Sequence, residues 1–197
     1  MNLKIYLKPS ESIPCENSIF NFVKNKCNMR LTWVIVFTVF GFSLMAQELN
    51  KTVVDQKSQK EVLIGKCDRN GLNSDLFKQY FTEGYANYTP DQSVISQLKK
   101  KKKGVKIMIV MGSWCGDSQD QVPAFYKIVD EIGFDESNVE LVAVDRTKTA
   151  GNYDVSGLNI QRVPTFVFYR NNREIGRIVE TPLSTLEKDM MLIFSQE

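Results

Sequence analysis

The chain has no histidine in its 197 residues. That removes every imidazole-based proposal: no serine-histidine-aspartate triad, no cysteine-histidine dyad and no histidine metal site. Any general base must be a carboxylate, a lysine, a thiolate or water. Cysteine is sparse too. Of the four, Cys15 and Cys27 precede Met29, which leaves Cys67 and Cys115 for chemistry in the body of the chain. The apolar run from Leu31 to Ala46 is shorter than the roughly 20 residues that span a bilayer.

What is present lies in the globular range, 43% hydrophobic and 24% charged, and is long enough for one domain with a well-buried core. Lys24, Lys26 and Arg30 precede the uncharged apolar run, and polar sequence resumes after it. That is the layout of a secretory signal peptide, with cleavage expected after the small residue Ala46. A retained N-terminal membrane anchor is the alternative. Residues 1–46 are therefore read as a leader: a polar preface over residues 1–28, then a signal peptide over 29–46. The preface, with Pro9, Pro14 and Cys15, is unusual for a signal peptide, and a start at Met29 would make it a misassigned extension. Beyond the leader, 20 Lys and Arg stand against 21 Asp and Glu, so the whole-chain charge of +2 belongs to the leader. The charge balance gives no support for a nucleic-acid partner. Export to the periplasm or cell envelope implies an oxidising compartment, where two thiols can pair.

Residues 47–104 read as a mainly helical N-terminal extension, with Val53-Val54 and Val62-Leu63-Ile64 as short apolar islands and, at most, one edge strand. A helix capped by Asn73 or Ser74 should run to Tyr85 and bury Leu76, Phe77, Tyr80 and Phe81; Pro90-Asp91 should open another carrying Val94, Ile95 and Leu98. The lysines from Lys99 to Lys103 complement the dipole at that helix's C-terminus, and Gly104 stops it. Val105 to Met111 is a near-continuous apolar run, as in a central strand covered on both faces. Val122, Phe125, Tyr126, Val129 and Ile132 follow at helical spacing, and Val139 to Val144 is a further strand. Val155 to Ile160 suggests a short helix or turn. Thr165 to Tyr169 and Glu174 to Val179 form a hairpin about Asn171-Asn172, and Pro182 opens a last helix with Leu183, Leu186, Met190 and Ile193 inward.

Between the first central strand and the helix after it stand Trp114-Cys115-Gly116-Asp117-Ser118, and Val163-Pro164-Thr165 leads into a later strand. Pro123 lies inside the helix, eight residues after Cys115. Together these resemble the thioredoxin-like family, closest to its bacterial members with a Trp-Cys-Gly-Asp-Ser motif. The resemblance implies an α/β thioredoxin-like fold over 105–197, a central mixed sheet flanked by helices. It also implies that Pro164 is a cis proline facing the sulfur, and that the Val163 backbone pairs with an incoming peptide or thiol ligand. Four departures qualify it. Ser118 replaces the second cysteine, Ile109 the buried aspartate, Leu141 the accompanying strand lysine, and Asp117 a proline.

A thiol reacts as its thiolate, and the free N–H groups at a helix N-terminus favour that anion. Cys115 is therefore the candidate nucleophile. Asp117 opposes the effect by its charge, although an acid in the first turn suits the helix. Ser118 is either a first-turn hydroxyl or a hydrogen-bond donor to the Cys115 thiolate. Trp114 and Gly116 are candidate substrate contacts beside Val163 and Pro164, with Gly116 allowing a tight turn. Cys67 is either a buried small hydrophobe or a distant resolving thiol. No cofactor and no metal are expected. Protein or low-molecular-weight thiols and disulfides are the expected partners, with a membrane involved only if the leader is retained. Without a second motif thiol, a general dithiol reductase is disfavoured. The leading reading is a single-cysteine exchange protein of the cell envelope, a monothiol reductase or isomerase. The alternative is a non-catalytic binding module that holds peptides in the groove beside Trp114 and Pro164. A peroxidase ranks last, because the threonine and arginine that peroxiredoxins need around the cysteine do not match this motif.

Overall fold

The computed structural model describes residues 48–196; the expected leader, its cleavage point, Cys15 and Cys27 lie outside the described residues. Six strands form one mixed sheet: β1 (Lys51–Val54), β2 (Glu61–Cys67), β3 (Val105–Met111), β4 (Val139–Ala143), β5 (Thr165–Arg170) and β6 (Arg173–Val179). Their order across the sheet is β1-β2-β4-β3-β5-β6, and only β3 and β4 run parallel. The helices are α1 (Arg69–Leu72), α2 (Lys78–Asn87), α3 (Gln92–Lys101), α4 (Gly116–Glu131) and α5 (Leu186–Phe194). This is the thioredoxin-like α/β arrangement expected from the sequence.

The segment before Val105 is less helical than its sequence suggests. It supplies β1 and β2 as a hairpin, and β2 pairs antiparallel with β4 inside the sheet. The short apolar islands Val53-Val54 and Val62-Leu63-Ile64 gave little periodicity, yet Val62, Leu63 and Ile64 are buried in β2, which lies between β1 and β4 in the sheet. Asp68 caps α1 by accepting the Asn70 and Gly71 N–H groups. The chain then turns before α2, so Phe77 and Phe81 are buried while Tyr80 stays exposed. In α3, Asp91 is the N-cap and Val94, Ile95 and Leu98 face inward.

All five helices give buried residues to one core cluster, which they share with Ile107, Ile109 and Met111 of β3. Phe125 of α4 stacks on Phe166 of β5 with ring centroids 4.4 Å apart, and burial of each such side chain is worth about 1.5–3 kcal/mol. Pro123 lies inside α4, and a Cβ on Gly84 of α2 would sit 2.9 Å from the proline ring. The missing side chain lets the two helices meet at the kink. The opposite sheet face is covered by a second cluster, in which Val110, Val142 and Val144 meet Ala150, Val155 and Val163 of the β4–β5 connection. That connection carries one 3-10 turn, Ser156–Leu158. It is too short to cover all of β3, so Lys106 is exposed and Met108 half-buried, against the expectation of a strand covered on both faces.

The β5–β6 turn uses Asn171 and Asn172 at positive φ, as their side chains allow. The last helix differs from expectation. It starts at Leu186 rather than Pro182, and Leu183 is 99% exposed. Asp189 accepts the Leu183 N–H at 2.6 Å, which ties the preceding loop to the first turn. Glu187 is buried, where its carboxylate accepts the Tyr88 hydroxyl at 2.6 Å and the Asp91 N–H at 3.2 Å. Burial alone would push the Glu187 carboxyl up, but the hydrogen bonds, led by Tyr88, hold it below the usual carboxylate range.

A depressed folded value means that the stabilisation is complete above the unfolded carboxyl value near pH 4.3 and is lost as pH falls through the folded value. Glu187→Gln is therefore expected to lower stability at neutral pH and to flatten the acid limb of the stability curve. Urea unfolding at a series of pH values checks this, and equal acid slopes for both proteins would contradict it.

Candidate functional site

The site grows from the junction of β3 and α4. Met111 ends the strand, Gly112 to Trp114 make the turn, and Cys115 is the N-cap of α4, with extended φ and ψ of −99° and 126°. Its N–H donates to the Gly112 carbonyl at 2.9 Å and its carbonyl accepts the Gln119 N–H at 3.0 Å. The Cys115 side chain makes no capping hydrogen bond, so the first-turn N–H groups are not taken up by it.

Of the two roles considered from the sequence, Ser118 takes that of a first-turn hydroxyl. It is completely buried, and its hydroxyl oxygen accepts the Gly112 N–H at 3.2 Å. It closes the turn rather than capping the helix or bonding to Cys115. The turn has further supports that the sequence did not signal. Gln119 Nε2 donates to the Ser113 carbonyl at 2.9 Å, and Ser113 Oγ accepts the Leu63 N–H of β2 at 3.0 Å.

Across from the turn, the Val163–Pro164 peptide is cis, and the Cys115 thiol donates to the Val163 carbonyl at 3.2 Å. The backbone group that the resemblance reserves for a ligand is therefore held by the thiol itself. Val163 and Pro164 are buried while Cys115 is half-buried. The Thr165 hydroxyl donates to the Arg162 carbonyl at 2.7 Å, and the Pro164 carbonyl accepts the Glu180 N–H at 2.7 Å, which fixes both ends of this segment.

Trp114 is half-buried, and its Nε1–H donates to the Val144 carbonyl at 2.8 Å. Arg146 lies over its ring with Cζ 4.6 Å from a ring centroid, and Lys148 with Nζ at 5.5 Å. Arg146 Nε donates to Asp55 Oδ2 at 2.9 Å. The Ser58 hydroxyl and then Arg146 hold the Asp55 carboxyl down at about 2. These residues come from the β1–β2 turn and from the start of the β4–β5 connection, and no spacing in the sequence brings them to Trp114. The glycine that the turn needs is Gly112, where a Cβ would lie 2.7 Å from the Trp114 ring. Gly116, expected to serve the tight turn, is exposed in regular helix with open space above it.

Cys67 is not brought to Cys115. It lies in β2 opposite Leu141, which in turn pairs with Ile109, and all three belong to the helix-side cluster. Cys115 and Trp114 pack against the other cluster. Both cysteines are free thiols. Burial pushes the Cys67 thiol up to about 12, so the resolving role considered for it finds no support in its position. Ile109 and Leu141, at the positions where the resemblance expects an aspartate and a lysine, are buried among apolar neighbours. Among the described residues no cluster of three or more acidic or thiol side chains could hold a metal ion.

A family model described as Thioredoxin matches residues 72–191, which include Cys115, Pro164 and the strands β3 to β6. The chain belongs to the thioredoxin family. The matched region begins at the end of α1 and takes in α2 and α3 as well as the chain from Val105, while β1 and β2 precede it. A thioredoxin from Malassezia sympodialis is 29% identical over 97 residues, covering 48% of this chain and 89% of that protein. Thioredoxin O2 from Arabidopsis thaliana in its oxidised state is similar at 19% identity and a TM-score of 0.36, covering 53% of this chain and 86% of that one. A Pseudomonas aeruginosa protein of unknown function is similar at 17% identity and a TM-score of 0.39, covering 56% of this chain and 64%, less than two thirds, of that one. Membership of the family carries thiol-disulfide redox chemistry as the general function.

The buried Gly112 N–H has Ser118 Oγ as its partner, and an orphaned buried donor costs about 1–3 kcal/mol. Ser118→Ala is expected to lose stability in that range, measured by urea unfolding, and a variant as stable as the wild type would show that the bond carries no weight.

Proposed function

We propose that this protein is a thiol-disulfide exchange protein that works through Cys115 alone, as a monothiol reductase or isomerase. The observation that carries the reading is the pairing of a half-exposed thiol at the N-terminus of α4 with a companion cysteine sequestered on the other side of the sheet. Location in the cell envelope, the Trp114-Cys115-Gly116-Asp117-Ser118 motif and the apolar leader of the sequence belong to the same reading.

In the first step the Cys115 thiolate attacks one sulfur of a substrate disulfide. The substrate S–S bond breaks, the departing sulfur leaves as a thiolate and takes a proton from solvent, and the attacked sulfur remains joined to Cys115. The sulfur stands at the N-cap of α4 and makes no capping bond to the first-turn N–H groups. Ser118 has no electron pair of sulfur type to offer, so release requires a second molecule. In a reductase cycle, a low-molecular-weight thiol attacks the Cys115 sulfur and frees the substrate thiol. A second such thiol then restores Cys115, and the two become a disulfide. In an isomerase cycle, another thiol of the substrate attacks its own linked sulfur, and the substrate is neither oxidised nor reduced overall.

A mixed disulfide that cannot be resolved internally should accumulate. Incubation of the full chain with an envelope extract, quenched by acid and separated without reductant, is expected to give a discrete set of partners joined at Cys115 and released by reductant. Cys115→Ser should remove them. Partners retained by Cys115→Ser without a covalent bond would instead support the binding-module reading.

A further inference from the structure

Arg146 and Lys148 are two cations over one aromatic ring, at 4.6 and 5.5 Å, beside the reactive cysteine. Asp55 neutralises one of them, bonding to Arg146 Nε alone. The terminal guanidinium nitrogens of Arg146 have no acceptor among the described residues, and its side chain keeps 34% of its exposure. Lys148 donates only to the Arg146 carbonyl, at 3.2 Å, and joins no ion pair among the described residues. Two adjacent cations with donors to spare are arranged as a carboxylate receptor, because a planar guanidinium fork matches a carboxylate in two-point geometry. The ring beneath them is fixed by the Val144 carbonyl, and the next residue in the chain is Cys115.

Resting on the exchange reading above, we infer that Arg146 and Lys148, seated on Trp114, form a subsite that selects thiol and disulfide substrates carrying a carboxylate close to the reacting sulfur. The substrate class is anionic: small acidic peptides with a thiol, or protein segments with an acidic residue beside the cysteine. The carboxylate lies over the indole between the two cations while its sulfur reaches Cys115. Asp55 has a supporting role, since it orients the guanidinium through Nε and leaves the terminal nitrogens outward. Exchange itself proceeds as described: the Cys115 thiolate attacks, the substrate S–S bond breaks, and the leaving sulfur departs as a thiolate.

Two disulfide probes of opposite character test this. Dithiobis(nitrobenzoate) is a dianion and dithiodipyridine is uncharged at neutral pH. The rate at which each modifies the Cys115 peptide of the full chain is followed by quenching and peptide mapping, and normalised to a blocked cysteine under the same conditions. The anionic probe is expected to show an advantage that shrinks as salt is raised. Lys148→Glu should lower the anionic rate about tenfold, the scale of local steering by charge, with the uncharged rate unchanged. Lys148→Arg should restore it. Equal loss with both probes, or an anionic rate that ignores Lys148→Glu and salt, would overturn the subsite while leaving exchange at Cys115 intact. No modification of Cys115 by either probe would overturn the exchange reading and the subsite with it.

Discussion

The short hydrogen-bonded closure between Gly112 and Ser118 holds the end of β3 to the first turn of α4, and the rest of the site is arranged around it. In a family whose fast chemistry uses a second sulfur at this position, the chain places a small hydroxyl that is wholly buried and committed to the backbone. The position is thereby converted from a redox group into a structural one. Ile109 and Leu141 are apolar as well and lie in the helix-side cluster. What the turn presents is one thiol, half-exposed, across from a cis peptide bond and bonded to the Val163 carbonyl.

The N-terminal part of the described chain has a function in this arrangement beyond covering the core. Its hairpin reaches the reactive turn twice, through the Leu63 N–H to Ser113 and through Asp55 to Arg146, which lies over Trp114. Each contact joins residues far apart in the chain, so the strands before Val105 and the site after it form one structural unit. The helices contribute buried residues to one face only, and the β4–β5 connection covers the other. That division also keeps Cys67 and Cys115 apart. The sheet acts as a partition between a sequestered thiol and an accessible one.

Much of the fold was legible because its signals are local. The kinking Pro123, the apolar β3 run, the paired asparagines of the last hairpin and the Val163-Pro164-Thr165 stretch each report on their immediate neighbourhood. The N-terminal strands were not legible, because Val53-Val54 and Val62-Leu63-Ile64 are too short to show alternation and owe their pairing to β4 and to each other. Leu183 fitted the helical spacing but lies outside the helix, since Thr185 is the N-cap and Asp189 binds the loop before it. At the site, the position of Cys115 could be read from the sequence. The partners of Ser118 and Trp114 could not, because hydrogen bonds to backbone groups leave no residue pattern. Arg146 and Lys148 escaped notice for the same reason, as their meeting with Trp114 is set by the tertiary fold.

The account stands or falls on Cys115 acting without a second thiol. The most direct measurement is the mass of the full chain, with peptide mapping, after exposure to excess low-molecular-weight disulfide and removal of that excess. The expected result is a stable adduct on the Cys115 peptide, unchanged on standing and lost only when external thiol is added, with Cys67 unmodified. Spontaneous loss of the adduct with formation of a Cys67–Cys115 disulfide, or an adduct on Cys67 with Cys115 untouched, would contradict it.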